Sequence, residues 1–149
     1  MLFTDKDGKN KLAKYLDDQK MHRLYEKFVL EYYKKHFPYF NPSASQIEWN
    51  VNGGNIDLLP NMKSDITLKH NEKTLIIDTK YYSKIYQTNY DKKSIHSANI
   101  YQIFTYVKNL DKDNTGNVSG MLLYARTDEI ILPDNDYMMG GNSISVKTL

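Results

Sequence analysis

The chain has 149 residues, a formal net charge of +2 and 40% hydrophobic content, enough for one domain with a sizeable core, which excludes disorder over the whole length. It contains thirteen tyrosines but no cysteine, so disulfide frameworks and thiolate metal sites are excluded and a reducing compartment fits. No apolar run reaches the length of a membrane span, and the start, MLFTDKDGKNK, lacks the apolar core of a signal peptide, so a cytoplasmic protein is expected.

Residues 1–20 are polar and lysine-rich, with a weak helical pattern at Leu12, Ala13 and Leu16. They are read as an N-terminal leader or linker remnant ahead of a domain spanning 21–149. His22 to His36 is predicted as a helix, with Leu24, Tyr25, Phe28, Val29 and Tyr32 on one apolar stripe, and Phe37-Pro38 ends it. Glu26 falls at the border of that stripe, where a carboxylate could reach a sheet edge; from spacing alone, a solvated helix charge is the plainer reading. Gln46 to Val51 alternates as a short strand, Asn52-Gly53-Gly54-Asn55 is a turn, and Ile56 to Leu59 is expected to pair back.

The next stretch organises the rest. Ser64–Lys69 and Thr74–Lys80 are rich in Ile, Leu and Thr, and His70-Asn71-Glu72-Lys73 supplies a turn, which predicts a hairpin. If Lys69 pairs with Thr74, then Asp65 lies opposite Asp78. Lys80 joins Asp78 because side chains alternate along a strand, while Ile66, Leu68, Leu75 and Ile77 take the other face. One face is then core and the other carries charge. Tyr81 to Asp91 reads as a tyrosine-rich loop, basic through Lys84 and the neighbouring Lys92 and Lys93, either at the mouth of a site or simply solvated. A second helix is expected from Ser94, a good N-cap, to Leu110. Ile100, Ile103, Phe104 and Val107 form its inward face, and Gln102 and Tyr106, four residues apart, share a flank. Gly120–Ala125 reads as a buried strand, Glu129–Leu132 as another, Gly140-Gly141 as a turn and Ile144–Leu149 as a last strand. The order predicts an α/β fold with helices against a central mixed sheet.

Directly opposed residues in an antiparallel pair hold their Cβ atoms about 5 Å apart, and like charges there are destabilising. Two carboxylates in that position invite a cation. Aspartate oxygens suit Mg²⁺, which is held by one or two carboxylates with water and substrate phosphate completing the shell. A lysine two residues on can act as a point charge at a phosphate or position the attacking water. A lone Asp-x-Lys is more often surface charge; the second aspartate, placed by register, tips the reading towards metal-assisted phosphodiester hydrolysis. There is no G-x-x-x-x-G-K-[ST] loop, no H-E-x-x-H spacing among the histidines and no G-x-S-x-G elbow.

Met62-Lys63-Ser64-Asp65-Ile66-Thr67-Leu68, Leu75-Ile76-Ile77-Asp78-Thr79-Lys80-Tyr81 and Ile100-Tyr101-Gln102-Ile103-Phe104-Thr105-Tyr106, in that order and separation, resemble the PD-(D/E)XK nuclease core. More specifically they resemble the McrC subunit of McrBC-type restriction systems, and Gly120 to Tyr124 resembles the strand that follows there. The likeness spans roughly Tyr25 to Ala125. It departs from the pattern at Ser64, where a proline is expected before the aspartate, and at Ala125, where a proline often follows the tyrosine. The resemblance implies a restriction-endonuclease-like fold in which Asp65, Asp78 and the Thr79 carbonyl hold Mg²⁺, for which Mn²⁺ can substitute. It implies that Lys80 orients or activates water, that Glu26 assists the metal through water, and that Gln102, Tyr106 and Tyr81 support the site beside DNA. The implied partners are double-stranded DNA with modified bases and a McrB-like AAA+ GTPase that recognises them, with dimerisation for double-strand cleavage and no membrane. Family members engage that GTPase through an additional N-terminal region, which a chain of this length is not expected to contain, whether it is a nuclease domain of a longer protein or a naturally short relative. The rival readings are a non-catalytic scaffold of the same fold, binding DNA or activating the AAA+ ring, and a stand-alone repair or resolvase nuclease.

Overall fold

A computed structural model describes residues 6–149; the first five residues of the expected leader lie outside the described residues. From Lys6 the chain is one 31-residue helix, α1 (Lys6–His36), unbroken at residue 21. The polar stretch from Lys6 to His22 is therefore helical, because nothing after Gly8 interrupts a run of fair helix formers. As expected, α1 stops before Phe37-Pro38, and a 3₁₀ turn follows over Pro38–Phe40.

The strands in chain order are β1 (Gln46–Ile47), β2 (Met62–Lys63), β3 (Ile66–His70), β4 (Lys73–Lys80), β5 (Tyr86–Asn89), β6 (Lys92–Ile95), β7 (Val118–Tyr124), β8 (Asn135–Met139) and β9 (Asn142–Thr148), with helix α2 (Ser97–Leu110) between β6 and β7. The main sheet has the order β3-β4-β7-β9-β8. Its inner pairs β4–β7 and β7–β9 are parallel, and its outer pairs β3–β4 and β8–β9 are antiparallel. This is the expected α/β architecture with a mixed sheet. In the β3–β4 hairpin Lys69 pairs with Thr74, as the sequence requires. Its turn uses Asn71 at φ 55, a left-handed value that asparagine tolerates.

The two helices cover opposite faces. On one side Val29 of α1, with Tyr25, Leu30 and Tyr33 partly buried, packs on Ile66, Leu68, Ile77 and Leu123. On the other, Ile103, Tyr106 and Val107 of α2 pack on Ile76, Val118, Leu122, Tyr124, Ile144 and Val146. This corrects two expectations. The Asp78–Lys80 face of β4, expected to lie opposite the core, is itself covered, because an inner strand of a βαβ layer carries a helix on each side. The apolar stripe of α1 is only half used: Leu24, Phe28 and Tyr32 stay exposed, since the helix touches the sheet along a narrow line through Tyr25, Val29 and Tyr33. Close approach of α2 is set by Gly120, where an added Cβ would fall 2.7 Å from both Ile103 and Val107.

Other differences concern the connections. The strand expected over Gln46–Val51 shortens to β1, and Ile56–Leu58 forms a 3₁₀ turn instead of pairing back. The expected loop after Tyr81 contains the β5–β6 hairpin, so α2 begins at Ser97 after His96 and Ser94 is no cap. Glu129–Leu132 is not a strand, and Ile130 and Ile131 are exposed. Glu129 instead accepts backbone N–H bonds from Ile85 (2.7 Å) and Tyr86 (3.4 Å), tying this loop to the start of β5. β8, unexpected from the sequence, joins β9 through Gly140 and Gly141 at φ 58 and 88, the left-handed pair that a two-residue hairpin requires. Among the described residues no helix is long and apolar enough to cross a membrane.

Candidate active site

Strand β4 carries Asp78 and Lys80 to its C-terminal end, on the face beneath α2, where they are 3% and 9% exposed. Lys80 Nζ lies 2.8 Å from Asp78 Oδ2 and donates to Gln102 Oε1 at 2.9 Å. Gln102 in turn donates to the Tyr106 hydroxyl at 3.0 Å, so the helical spacing of the two does bring them together. The structure thus gathers Asp78, Lys80, Gln102 and Tyr106 into one chain of contacts.

The Asp78 carboxyl is pushed up to about 6, first by burial and then by the charge of Asp65, against the opposing pull of Lys80. Burial works against the Lys80 ammonium, but Asp78 outweighs it and the net effect is upward. Among the described residues Asp78 Oδ2 is the buried side-chain oxygen left without a hydrogen bond. Lys80 pairs with it by charge at 2.8 Å.

Asp65 departs from the expected geometry. The ladder ends at the Ile66–Ile77 pair, and Asp65 sits in the bend before β3. Its Oδ2 accepts from the Thr79 backbone N–H at 2.7 Å and from the Thr79 hydroxyl at 2.9 Å, while Asp65 also stays close enough to Asp78 to act on its carboxyl by charge and hydrogen bonding. Ser64 helps to shape this bend: its buried hydroxyl hydrogen-bonds Thr67 at 2.6 Å and accepts from the Ser45 backbone at 3.1 Å. Glu26 comes to the same place from α1. Burial, then the charge and hydrogen bonding of Asp65, raise its carboxyl above the usual range, and Asp78 adds to this while His22 opposes it. Three carboxyls from three elements therefore sense one another at the end of the sheet.

His22 was missed. Its Nε2 lies 3.0 Å from the Thr79 carbonyl oxygen, and because a carbonyl only accepts, Nε2 carries the proton. Zinc spacing is the wrong test for this histidine; the useful signal was that His22 and Glu26 are four residues apart on one helix face. Tyr81 leaves β4 towards α1, its ring 6.2 Å from that of Tyr25.

Among the described residues no three His, Cys, Asp or Glu side chains form a group that would hold a metal ion. The set nevertheless fits a hard cation that takes only one or two carboxylates from the protein. Its strongest mark is the buried Asp78 carboxyl, whose Oδ2 is paired only by the charge of Lys80, with Asp65 close enough to raise its proton affinity.

These features describe an α/β domain consistent with a nuclease-like core, its charged groups enclosed where a parallel strand ends. The chain belongs to the McrBC 5-methylcytosine restriction system component family, whose pattern matches residues 13–125. It is 31% identical over 136 residues to the Type IV methyl-directed restriction enzyme EcoKMcrBC of Escherichia coli (strain K12), covering 89% of this chain. The chain spans 38% of that relative's length.

Proposed function

We propose that this chain is the metal-dependent DNA endonuclease domain of a McrC-like restriction subunit, with a PD-(D/E)XK core, working in the cytoplasm. The observation that carries the reading is the buried Asp78–Lys80 pair, flanked by Asp65 and Glu26, in a chain of this family. Asp65 and Asp78 are the residues that would hold Mg²⁺ or Mn²⁺, with the Thr79 carbonyl as a third donor and Glu26 acting through water. When bound, such an ion neutralises charge on the phosphate in the transition state and acidifies a coordinated water. Lys80, fixed between Asp78 and Gln102, holds the attacking water or the phosphate oxygen without having to reorganise. Tyr106 steadies Gln102. Duplex DNA with modified bases is the substrate, a McrB-like AAA+ GTPase the partner that finds it, and pairing of two such domains cuts both strands.

Calorimetric titration of Mn²⁺ and Mg²⁺ into the chain, beside Asp65→Ala and Asp78→Ala, tests the site without needing the partner. Binding that vanishes in both variants is expected. Absence of binding to the unaltered chain at millimolar metal, with DNA present, would overturn the nuclease reading in favour of a non-catalytic scaffold.

A further inference from the structure

We propose that the cleft beside the Asp78–Lys80 centre receives an unpaired nucleotide of the strand being cut. This rests on the nuclease reading and names the form of DNA the same site takes: a duplex with one nucleotide out of the stack next to the scissile phosphate. The cleft, about 440 Å³ in volume, lies between α1 and the segment that leaves Lys80. That is the size of a small-molecule site; a nucleotide fits it and a duplex does not.

The cleft adjoins the catalytic centre through His22 and Tyr81, while Glu26, Asp65, Asp78 and Lys80 themselves do not line it. His22 lines it while donating to the Thr79 carbonyl, and Tyr81, the residue after Lys80, lines it from the other side. A strand whose phosphate lies at Lys80 therefore meets the cleft at the neighbouring nucleotide. The walls differ in character. On the α1 wall Tyr15, Asp18 and Gln19 share one helix face with His22, the spacing being i, i+3, i+4, i+7. On the opposite wall stand Lys84, Tyr86 and His96.

Lys84, whose charge also acts on Glu129 behind this wall, and His96 suit a phosphate, whereas the Asp18 carboxylate in the cleft repels one and accepts from the amino group of a base. The nucleotide is thus oriented with its backbone towards Lys84 and its base towards α1. Tyr15 and Tyr86 supply faces on which the base stacks. Packing does not account for Tyr15, which is 60% exposed. Tyr86 is held ready by the Glu129 carboxylate on its backbone N–H and that of Ile85, so the wall is formed before the ligand arrives and little ordering is needed.

The test measures binding by fluorescence anisotropy in EDTA, where nothing is cut, using a fully paired short duplex and the same duplex with one unpaired 2-aminopurine. The unpaired duplex is expected to bind at least about tenfold tighter, with 2-aminopurine emission quenched by stacking. Tyr15→Ala and Tyr86→Ala should each weaken it by about fivefold to a hundredfold, leaving the paired duplex unchanged, and Tyr86→Phe should retain the preference. Circular dichroism checks that each variant is folded. Equal affinity for the two duplexes, or a preference that survives both alanine variants, overturns the proposal while leaving the nuclease reading intact. If no duplex binds, the proposal also falls, and the metal titration judges the nuclease reading separately.

Discussion

Replacing Asp78 by asparagine should change the pH dependence of stability in a way that the burial of this side chain dictates. The folded carboxyl, at about 6, holds its proton more tightly than a free aspartate at 3.8. A raised acid pKa means that stability is greatest below the unfolded value and is lost as pH rises through the folded one, so the unaltered chain weakens between about pH 4 and pH 7 and then levels off. The difference between the two pKa values corresponds to about 3 kcal/mol. The amide of the Asp78→Asn variant does not titrate, so relative to that variant the unaltered chain should lose about that much over the interval. Any fixed cost of removing the partner of Lys80 enters as a constant offset and cancels. Glu26 is raised in the same direction and partly by Asp78 itself, so the variant also loses that part of the Glu26 shift, which adds to the difference with the same sign. Urea unfolding followed by Trp49, the single tryptophan, at closely spaced pH values reads the difference directly; its indole N–H is held by the Pro60 carbonyl at 2.7 Å. A stability difference that stays constant from about pH 4 to pH 8 would refute the reasoning, because it would mean that the folded Asp78 carboxyl titrates as it does in the unfolded chain.

Gly120→Ala places a methyl 2.7 Å from Ile103 and Val107, and thermal unfolding should show a loss of about 1–3 kcal/mol as α2 is forced off the sheet. Asp111 accepts from Asn142, from the Thr115 backbone and hydroxyl, and from the Gly116 backbone, and these bonds, with Asn142 foremost, hold its carboxyl down at about 2. Its stabilisation is present above the unfolded value and should disappear as pH falls from about 4 towards 2; Asp111→Ala should be destabilised at neutral pH, measured by urea unfolding, and should lack that acid-side loss. His22→Ala frees the Thr79 carbonyl, so Mn²⁺ affinity measured calorimetrically should rise severalfold; an unchanged affinity would show that this carbonyl is not a ligand.

What local pattern could reveal was legible in the sequence. Alternation of side chains determined the β3–β4 register, the placing of Asp78 beside Lys80 and the inward set Ile66, Leu68, Leu75 and Ile77. Helical spacing determined that Gln102 and Tyr106 point to one place. The β5–β6 hairpin was hidden because its turn is Tyr90-Asp91, at φ 52 and 62, without the Asn or Gly that normally signals such a turn. β8 was hidden because Asn135–Met139 has neither alternation nor β-branched residues. Only the tertiary structure decided that the charged face of β4 lies under α2, that Asp65 accepts from Thr79, and that His22 reaches the Thr79 carbonyl. Each of these depends on contacts between segments far apart in the chain, and periodicity along one segment carries no information about what will be packed against it.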